Sequence, residues 1–378
     1  MTHTPGSLAA ALQRAVGELR RAARGDPRRA GEGAVVLVER MAPAMEVVED
    51  IVGTLAGAAA RAIDRVVPVL AVAVPDDVRD AWLTRLWAAL SVDEAGHVRR
   101  LAEHWGALCA TPERAAAWAE RLLPAARAGL ATAASIACLA GQVAAGRHAE
   151  ALALLAGREV EVWPERQFGV RALAARGDVD AALVYARASN PLGHRHAQDI
   201  ARVCEAVLRA AGRDDEAYVG YAFVAHAQQN CRLTFEALRR AYPQVEASRL
   251  LEDLLAASPG QEGRWFATAC ALRFHALAVE IIKNSPGDPR TLLRIGLGRL
   301  EADPEFAREV AVAALRWICG GHGVEIAGDD VYAAFDLARV AGQRTDTLAR
   351  TRSRIAAACD QPHPAAQWVL GLLAAELG

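Results

Sequence analysis

Three short stretches in the middle of the chain share one design: Gly146-Arg147-His148-Ala149-Glu150-Ala151, Gly177-Asp178-Val179-Asp180-Ala181-Ala182 and Gly212-Arg213-Asp214-Asp215-Glu216-Ala217. Each follows an Ala/Leu-rich helical run and opens another, and the glycines stand 31 and 35 residues apart. That spacing is the length of one helical hairpin. It predicts a repeat architecture in which each unit buries its apolar face against its neighbours. The expected fold is therefore all-α, a right-handed α-solenoid of antiparallel helical hairpins.

Composition agrees. The chain has 378 residues, which a solenoid absorbs as one body, and aromatics make up only 5%. Alanine, about a fifth of the residues, costs no side-chain entropy in a helix and lets helices approach closely. Val/Ile/Thr-rich alternating runs of strand length are nearly absent. The net charge of −2 gives no global field for nucleic acid or an anionic membrane. Lys283 is the only lysine, so a Schiff base would have to form there, beside what reads as an ordinary helix end at Asn284-Ser285-Pro286-Gly287. Seven scattered cysteines in helical contexts read as buried reduced thiols. No signal-peptide pattern opens the chain. The most apolar stretch, 51–74, is broken by Arg61, Asp64, Arg65 and Pro68, which predicts a buried helix pair and not a membrane span. These features together predict a cytoplasmic protein.

Residues 1–33 read as a basic amphipathic helix over 7–24 followed by a flexible Gly/Arg/Pro-rich joint from Gly25 to Gly33. Residues 34–128 read as a helical region, either the start of the solenoid or a separate bundle, and 129–378 as the solenoid proper. Thr111-Pro112-Glu113 and Asp303-Pro304-Glu305 each place an N-cap, a proline at the first helical position and an acid after it. The glycine pattern is not traceable to either end of the chain.

The three turns resemble the joint between the two helices of a tetratricopeptide repeat, where a glycine ends the first helix, an alanine follows five residues later and a bulky residue four beyond that. Gly146, Ala151 and Leu155 match, as do Gly212, Ala217 and Tyr221; Gly177 and Ala182 match, with Ala186 in the bulky position. Asn190-Pro191 resembles the proline that closes a repeat, about three residues early, and the first-helix signature positions are not recognisable. The resemblance spans about residues 130–290 and implies a TPR-like (or HEAT-like) array that binds a peptide or partner protein on its concave face.

On the helices expected to line that face, two polar clusters stand out: Trp163, Arg166, Gln167 and Arg171, and then His226, Gln228, Gln229, Asn230 and Arg232. They are the candidate partner-binding residues. The segment 317–332 is the least repeat-like part, and its Trp317, His322, Asp329, Asp330 and Tyr332 make an irregular-loop candidate for a metal, a small molecule or an anion at the following helix N-terminus. Cys319 and His322, with Cys359 and His363, would supply four zinc ligands if the fold joined them. Glu94-x-x-His97 has di-iron spacing but no second copy. His194-Arg195-His196 with Asp199 reads as a helix start. No HExxH, GxGxxG after a strand, Walker loop or GxSxG is present. The sequence thus predicts a non-catalytic interaction or scaffold module with no cofactor. The alternatives are a ligand site at 317–332 or nucleic-acid binding through Arg14, Arg20, Arg21, Arg24, Arg28 and Arg29.

Overall fold

The structure, a computed structural model, describes residues 4–48, 54–128, 132–158, 162–189 and 196–377. Among these every regular element is helical and no strand occurs. The chain divides into two compact units, Met1–Tyr221 and Ala222–Gly378.

The first unit contains α1 (Pro5–Ala22), α2 (Pro27–Glu46), α3 (Thr54–Leu70), α4 (Asp76–Ser91), α5 (Arg100–Glu103), α6 (Trp105–Cys109), α7 (Pro112–Arg127), α8 (Ala133–Ala144), α9 (His148–Ala156), α10 (Trp163–Ala175), α11 (Val179–Ala188), α12 (Ala197–Ala210) and α13 (Asp214–Ala217). A π-helical turn, Tyr218–Ala222, follows. The second unit contains α14 (Phe223–Ala225), α15 (Cys231–Ala241), α16 (Ala247–Ala256), a 3-10 turn at Glu262–Trp265, α17 (Phe266–Ala271), α18 (His275–Asn284), α19 (Pro289–Arg299), α20 (Pro304–Cys319), α21 (Gly328–Arg344), α22 (Leu348–Cys359) and α23 (Pro364–Leu377).

The local signals that mark helix starts behave as their chemistry requires. Thr111 Oγ1 accepts from the Arg114 N–H at 3.2 Å and Asp303 Oδ1 from the Phe306 N–H at 3.0 Å, each satisfying a donor that the helix leaves open. Asp26 does the same for Arg29 at 2.9 Å, and Pro27 opens α2. The expected flexible joint at 25–33 is therefore corrected: from Pro27 it is helix. Its glycines serve contact and not freedom. A Cβ on Gly31 would lie 2.1 Å from the Trp82 ring, and one on Gly33 would lie 2.8 Å from Leu19. The apolar stretch 51–74 forms one helix, α3, with Pro68 in its last turn, and not the expected helix pair; residues 51–53 lie outside the described residues. Among the described residues no helix is long and apolar enough to cross a membrane.

The expected boundary at 129 lies outside the described residues, but the helices on either side of it share one core. Helix α7 packs along α8, and one core runs from Leu12 on α1 to Phe168 on α10. It contains a triad of Trp87, Trp105 and Trp118, with ring centroids 5.0 to 5.9 Å apart and steeply inclined planes. A second, smaller core joins Trp163 and Val170 to Leu183, Cys204 and Leu208. Between α9 and α10 the buried Arg158 donates to Glu165 Oε1 at 3.0 Å and to the Ala126 carbonyl at 2.7 Å. In the second unit α20 is the central helix, buried over most of its length and packed by α18, α19, α21, α22 and α23.

The three glycine turns are one motif in space. Gly146, Gly177 and Gly212 have φ of +75°, +89° and +72°. In each, the following N–H reaches back to close a Schellman turn: Arg147 to the Gln142 carbonyl at 2.8 Å, Asp178 to Leu173 at 3.0 Å and Arg213 to Leu208 at 2.9 Å. In the second unit Gly321 (φ +77°) closes the same way, with His322 bonded to Trp317 at 2.9 Å, and two further turns do so without glycine. Arg273 (φ +66°) and Asp346 (φ +53°) take the left-handed position, with Phe274 bonded to Ala269 at 2.9 Å and Thr347 to Gly342 at 2.8 Å. Five residues beyond every one of these turns except that at Gly321 stands a small, wholly buried side chain: Ala151, Ala182, Ala217, Ala278 and Thr351 are all 0% exposed. At that point the second helix of each hairpin meets its neighbours with no room for a longer side chain.

This equivalence has a measurable consequence. Gly177→Ala should cost about 1 kcal/mol, because a Cβ there meets no atom and only the left-handed backbone is penalised. Arg273→Gly should be neutral or stabilising by less than about 1 kcal/mol, the relieved strain being offset by glycine's larger unfolded entropy. Urea unfolding of the two variants checks the pair. A clear loss of stability for Arg273→Gly would mean that its side chain, and not the turn, matters there.

Candidate binding grooves

In the first unit α10 and α12 flank an open groove of about 670 Å³. Trp163, Gln167 and Arg171 recur every fourth residue on α10 and share one stripe, which forms a wall of this groove. The floor is made of small apolar side chains, among them Ala174, Val179, Val203, Ala206 and Val207, and the rim carries Arg100, Arg171 and Arg202 with Asp199.

A polar chain holds the rim in place. Asp64 accepts from Arg100 Nε at 3.0 Å and lies 2.9 Å from His104 Nε2. Arg100 donates to Glu103 at 2.7 Å, and Glu103 accepts from Gln167 Nε2 at 2.7 Å. The Gln167 carbonyl oxygen then accepts from Arg171 at 2.9 Å. Burial acts to raise the Asp64 pKa, but the bonds from His104 and Arg100 outweigh it and hold the carboxyl below its usual range. At Arg171 desolvation pulls the pKa down, with Glu103 opposing and Arg100 adding to the fall. Arg171 thus keeps a charge that its surroundings compensate poorly.

Arg166, expected beside these residues, is corrected. It is 6% exposed, its guanidinium stacks 3.9 Å from the Tyr185 ring, and its Nε donates to Ser189 Oγ. One position off the four-residue stripe, it faces α11 and pins α10 to it. Trp163 and Gln167 are also buried, at 4% and 4%, so they form the wall of the groove while Arg171 is its exposed member. His194 and Arg195 lie outside the described residues, as do Asn190 and Pro191; His196 stands at the N-cap position of α12 without a side-chain cap bond, and Asp199 lies in the helix's first turn on the groove.

The second unit carries a groove of about 750 Å³ between the start of α15, α17 and α19. Of the second predicted cluster, Gln229, Asn230 and Arg232 line it. Asn230 also caps α15, its Oδ1 accepting from the Leu233 N–H at 2.9 Å. His226 instead sets its ring edge-on to Tyr242, and Gln228 bonds locally to Thr234 and the His226 carbonyl, so neither reaches the groove. Sequence reasoning missed Arg264, His275, Arg294 and Arg299, which come from the other two walls.

The irregular segment 317–332 is anchored at both ends, while residues 321–325 between them are exposed. Trp317 Nε1 donates to the Ile282 carbonyl at 2.8 Å, and His322 lies edge-on to the Trp317 ring at 5.5 Å. Asp330 accepts from the Ala327 N–H at 2.9 Å and from Arg290 at 3.0 and 3.1 Å, so the N-terminus of α21 already holds a carboxylate of its own chain. Tyr332 donates to the Leu372 carbonyl at 3.1 Å, and Asp329 is exposed. Cys319 and Cys359 do meet, with sulfurs 3.1 Å apart, and His363 lies under Gly321. Even so, among the described residues no three His, Cys, Asp or Glu side chains gather as metal ligands. Glu94 and His97 stand on an irregular turn before α5 and not on a shared helical face, which removes the geometry of the di-iron spacing. Lys283 is held by Glu309 at 2.7 Å.

The N-terminal arginines are exposed on α1 and the start of α2, while Leu12 and Val16 anchor α1 in the core. They form a solvated rim on a packed helix. Compared with protein-family models, curated proteins and solved structures, the chain matches none.

Proposed function

We propose that this chain is a protein-interaction module, built as a TPR-like helical array, whose first unit receives a segment of a partner protein in the groove between α10 and α12. The observation that carries this reading is the groove itself, an apolar floor of small side chains beneath Arg100, Arg171 and Arg202. Apolar surface supplies the driving force, and the guanidinium rim selects a segment whose apolar side chain is flanked by carboxylates. The five recurring turns that are followed by a fully buried small residue support the repeat assignment.

Selection of random peptides on the immobilised full chain tests it. The recovered peptides should share an apolar residue beside Asp or Glu. Ala206 is exposed on the floor, so Ala206→Trp fills the groove without touching the core and should abolish binding. Arg171→Glu should weaken it by about tenfold. Peptides without a common pattern, or undiminished affinity in Ala206→Trp, would sink the reading. Arg166→Glu is the contrasting control and should lower stability and not affinity alone, because Arg166 is buried against Tyr185.

A further inference from the structure

The groove of the second unit has a composition of its own. Four arginines, Arg232, Arg264, Arg294 and Arg299, line it together with His275, and no carboxylate does so among the described residues. Their internal compensation is slight. Arg232 pairs with Glu236 at 2.9 Å, but both are exposed, where such a pair contributes little. Arg264 Nε points to the Cys231 sulfur at 3.2 Å. Arg299 reaches Asp303 at 3.7 Å, and that aspartate already caps α20. Arg294 has no hydrogen bond or ion pair among the described residues.

Two further atoms point the same way. Arg299 Nε and His275 Nδ1 are both buried from solvent and have no hydrogen-bond partner. Buried polar atoms in folded proteins are almost always satisfied, and both residues line this groove. The groove therefore holds polar capacity that the chain itself leaves unused.

Beyond Arg294 the character changes. The space between α19 and α21 is a slot of about 330 Å³ whose walls include Leu293, Leu297, Leu300, Leu337 and Val340; Arg294 borders both spaces, and the one carboxylate in the lining, Asp336, is paired with Arg339 at 3.0 Å. Leu297 is 65% exposed, a large apolar side chain left uncovered at the edge of this slot. A cationic trough therefore opens directly into an apolar one. The trough also offers the side-chain amides of Gln229 and Asn230, and it presents no Phe, Tyr or Trp on which a base would stack. That combination favours a peptide over a nucleic acid.

We propose that the groove formed by α15, α17 and α19 is a second, separate binding site, specific for an acidic peptide segment in which a run of Asp or Glu side chains precedes a large apolar residue. The carboxylates pair with Arg264, Arg294 and Arg299, and the apolar residue enters the slot between α19 and α21. Arg–carboxylate pairs in a partly dry groove give both specificity and attraction at a distance. The site is independent of the groove in the first unit.

The test uses the full chain and a short fluorescein-labelled peptide in which a run of glutamates precedes two leucines, followed by fluorescence anisotropy. Binding should appear in the micromolar range and weaken as salt is raised, because the contacts at the mouth of the groove are screened. Arg264 and Arg294 are exposed, so charge reversal leaves the core intact, and each of Arg264→Glu and Arg294→Glu should weaken binding by about tenfold. Serines in place of the two leucines should also weaken it, while Ala206→Trp should leave it unchanged. The proposal is overturned if the peptide fails to bind, or if binding survives both charge reversals. Tighter binding of a uridine-rich RNA than of the peptide, lost in the same variants, would overturn it in favour of nucleic acid. Loss of peptide binding in Ala206→Trp would transfer the peptide to the first groove.

Discussion

Replacing Glu309 with alanine is expected to lower the stability of the second unit by about 3 kcal/mol, because it leaves the buried Arg308 without its nearest counter-charge and releases the more exposed Lys283 and Arg354. Glu309 sits on the central helix α20 with its side chain 9% exposed. It accepts from Lys283 Nζ at 2.7 Å, Arg354 Nη2 at 2.9 Å and Arg308 Nη2 at 3.1 Å, tying α18 and α22 to α20. Arg308 is the most affected, since its side chain is only 3% exposed and its Nε has no partner even in the intact cluster. Its other acid, Glu305, is 57% exposed and compensates it weakly.

The same carboxylate sets an acid limit. Burial would raise its pKa, but the bonds from Arg354 and Lys283 prevail and bring it down from 4.5 to about 2. A lowered folded-state value means that the contribution is complete above pH 4.5 and is lost as the pH falls towards 2. The shift corresponds to about 3 kcal/mol. Urea unfolding of the wild type should therefore show a steep loss of stability across that window, and Glu309→Ala should show a shallower one. Equal slopes for the two proteins would remove Glu309 from the account.

Trp105→Ala should cost the first unit about 3–5 kcal/mol. The ring is 0% exposed and packs against Trp87 and Trp118 at 5.4 and 5.0 Å, so its removal opens a cavity lined by two rigid indoles that cannot collapse into it. Trp105→Phe should cost far less, about 1 kcal/mol. The indole Nε1 is buried without an acceptor, and phenylalanine removes that unsatisfied donor, which offsets part of the lost volume. Thermal unfolding of both variants decides. If phenylalanine proves as damaging as alanine, the ring's size alone governs the site.

What the sequence revealed follows from how local each signal is. The caps at Thr111 and Asp303 and the glycine turns at 146, 177 and 212 are decided within a few residues, and they were legible. Arg273 and Asp346 were not, because either residue normally avoids positive φ. They hold it because the backbone bond from the next residue and the buried small side chain five positions on fix the turn from outside. Gly31 and Gly33 were ambiguous for the opposite reason. A glycine looks the same whether it frees a joint or admits a neighbour, and the neighbour here, Trp82, lies 51 residues from Gly31 in the chain.

The grooves divide along the same line. Trp163, Gln167 and Arg171 could be found from their four-residue spacing, and Arg166 was drawn in by adjacency alone. The arginines that give the second groove its charge come from three separate helices, and nothing within any one helix marks them as a set.

The small residue that follows five of the turns has a consequence for how such a chain can change over time. Each hairpin is closed by its own backbone bonds and seated by one narrow contact, neither of which depends on a particular side chain at the tip. A hairpin can therefore be duplicated, lost or reworded as a cassette, provided the seat stays small. Glycine at the tip is a convenience and not a requirement, and a chain that dispenses with it, as at Arg273 and Asp346, hides such turns from any search for spelling while keeping their mechanics.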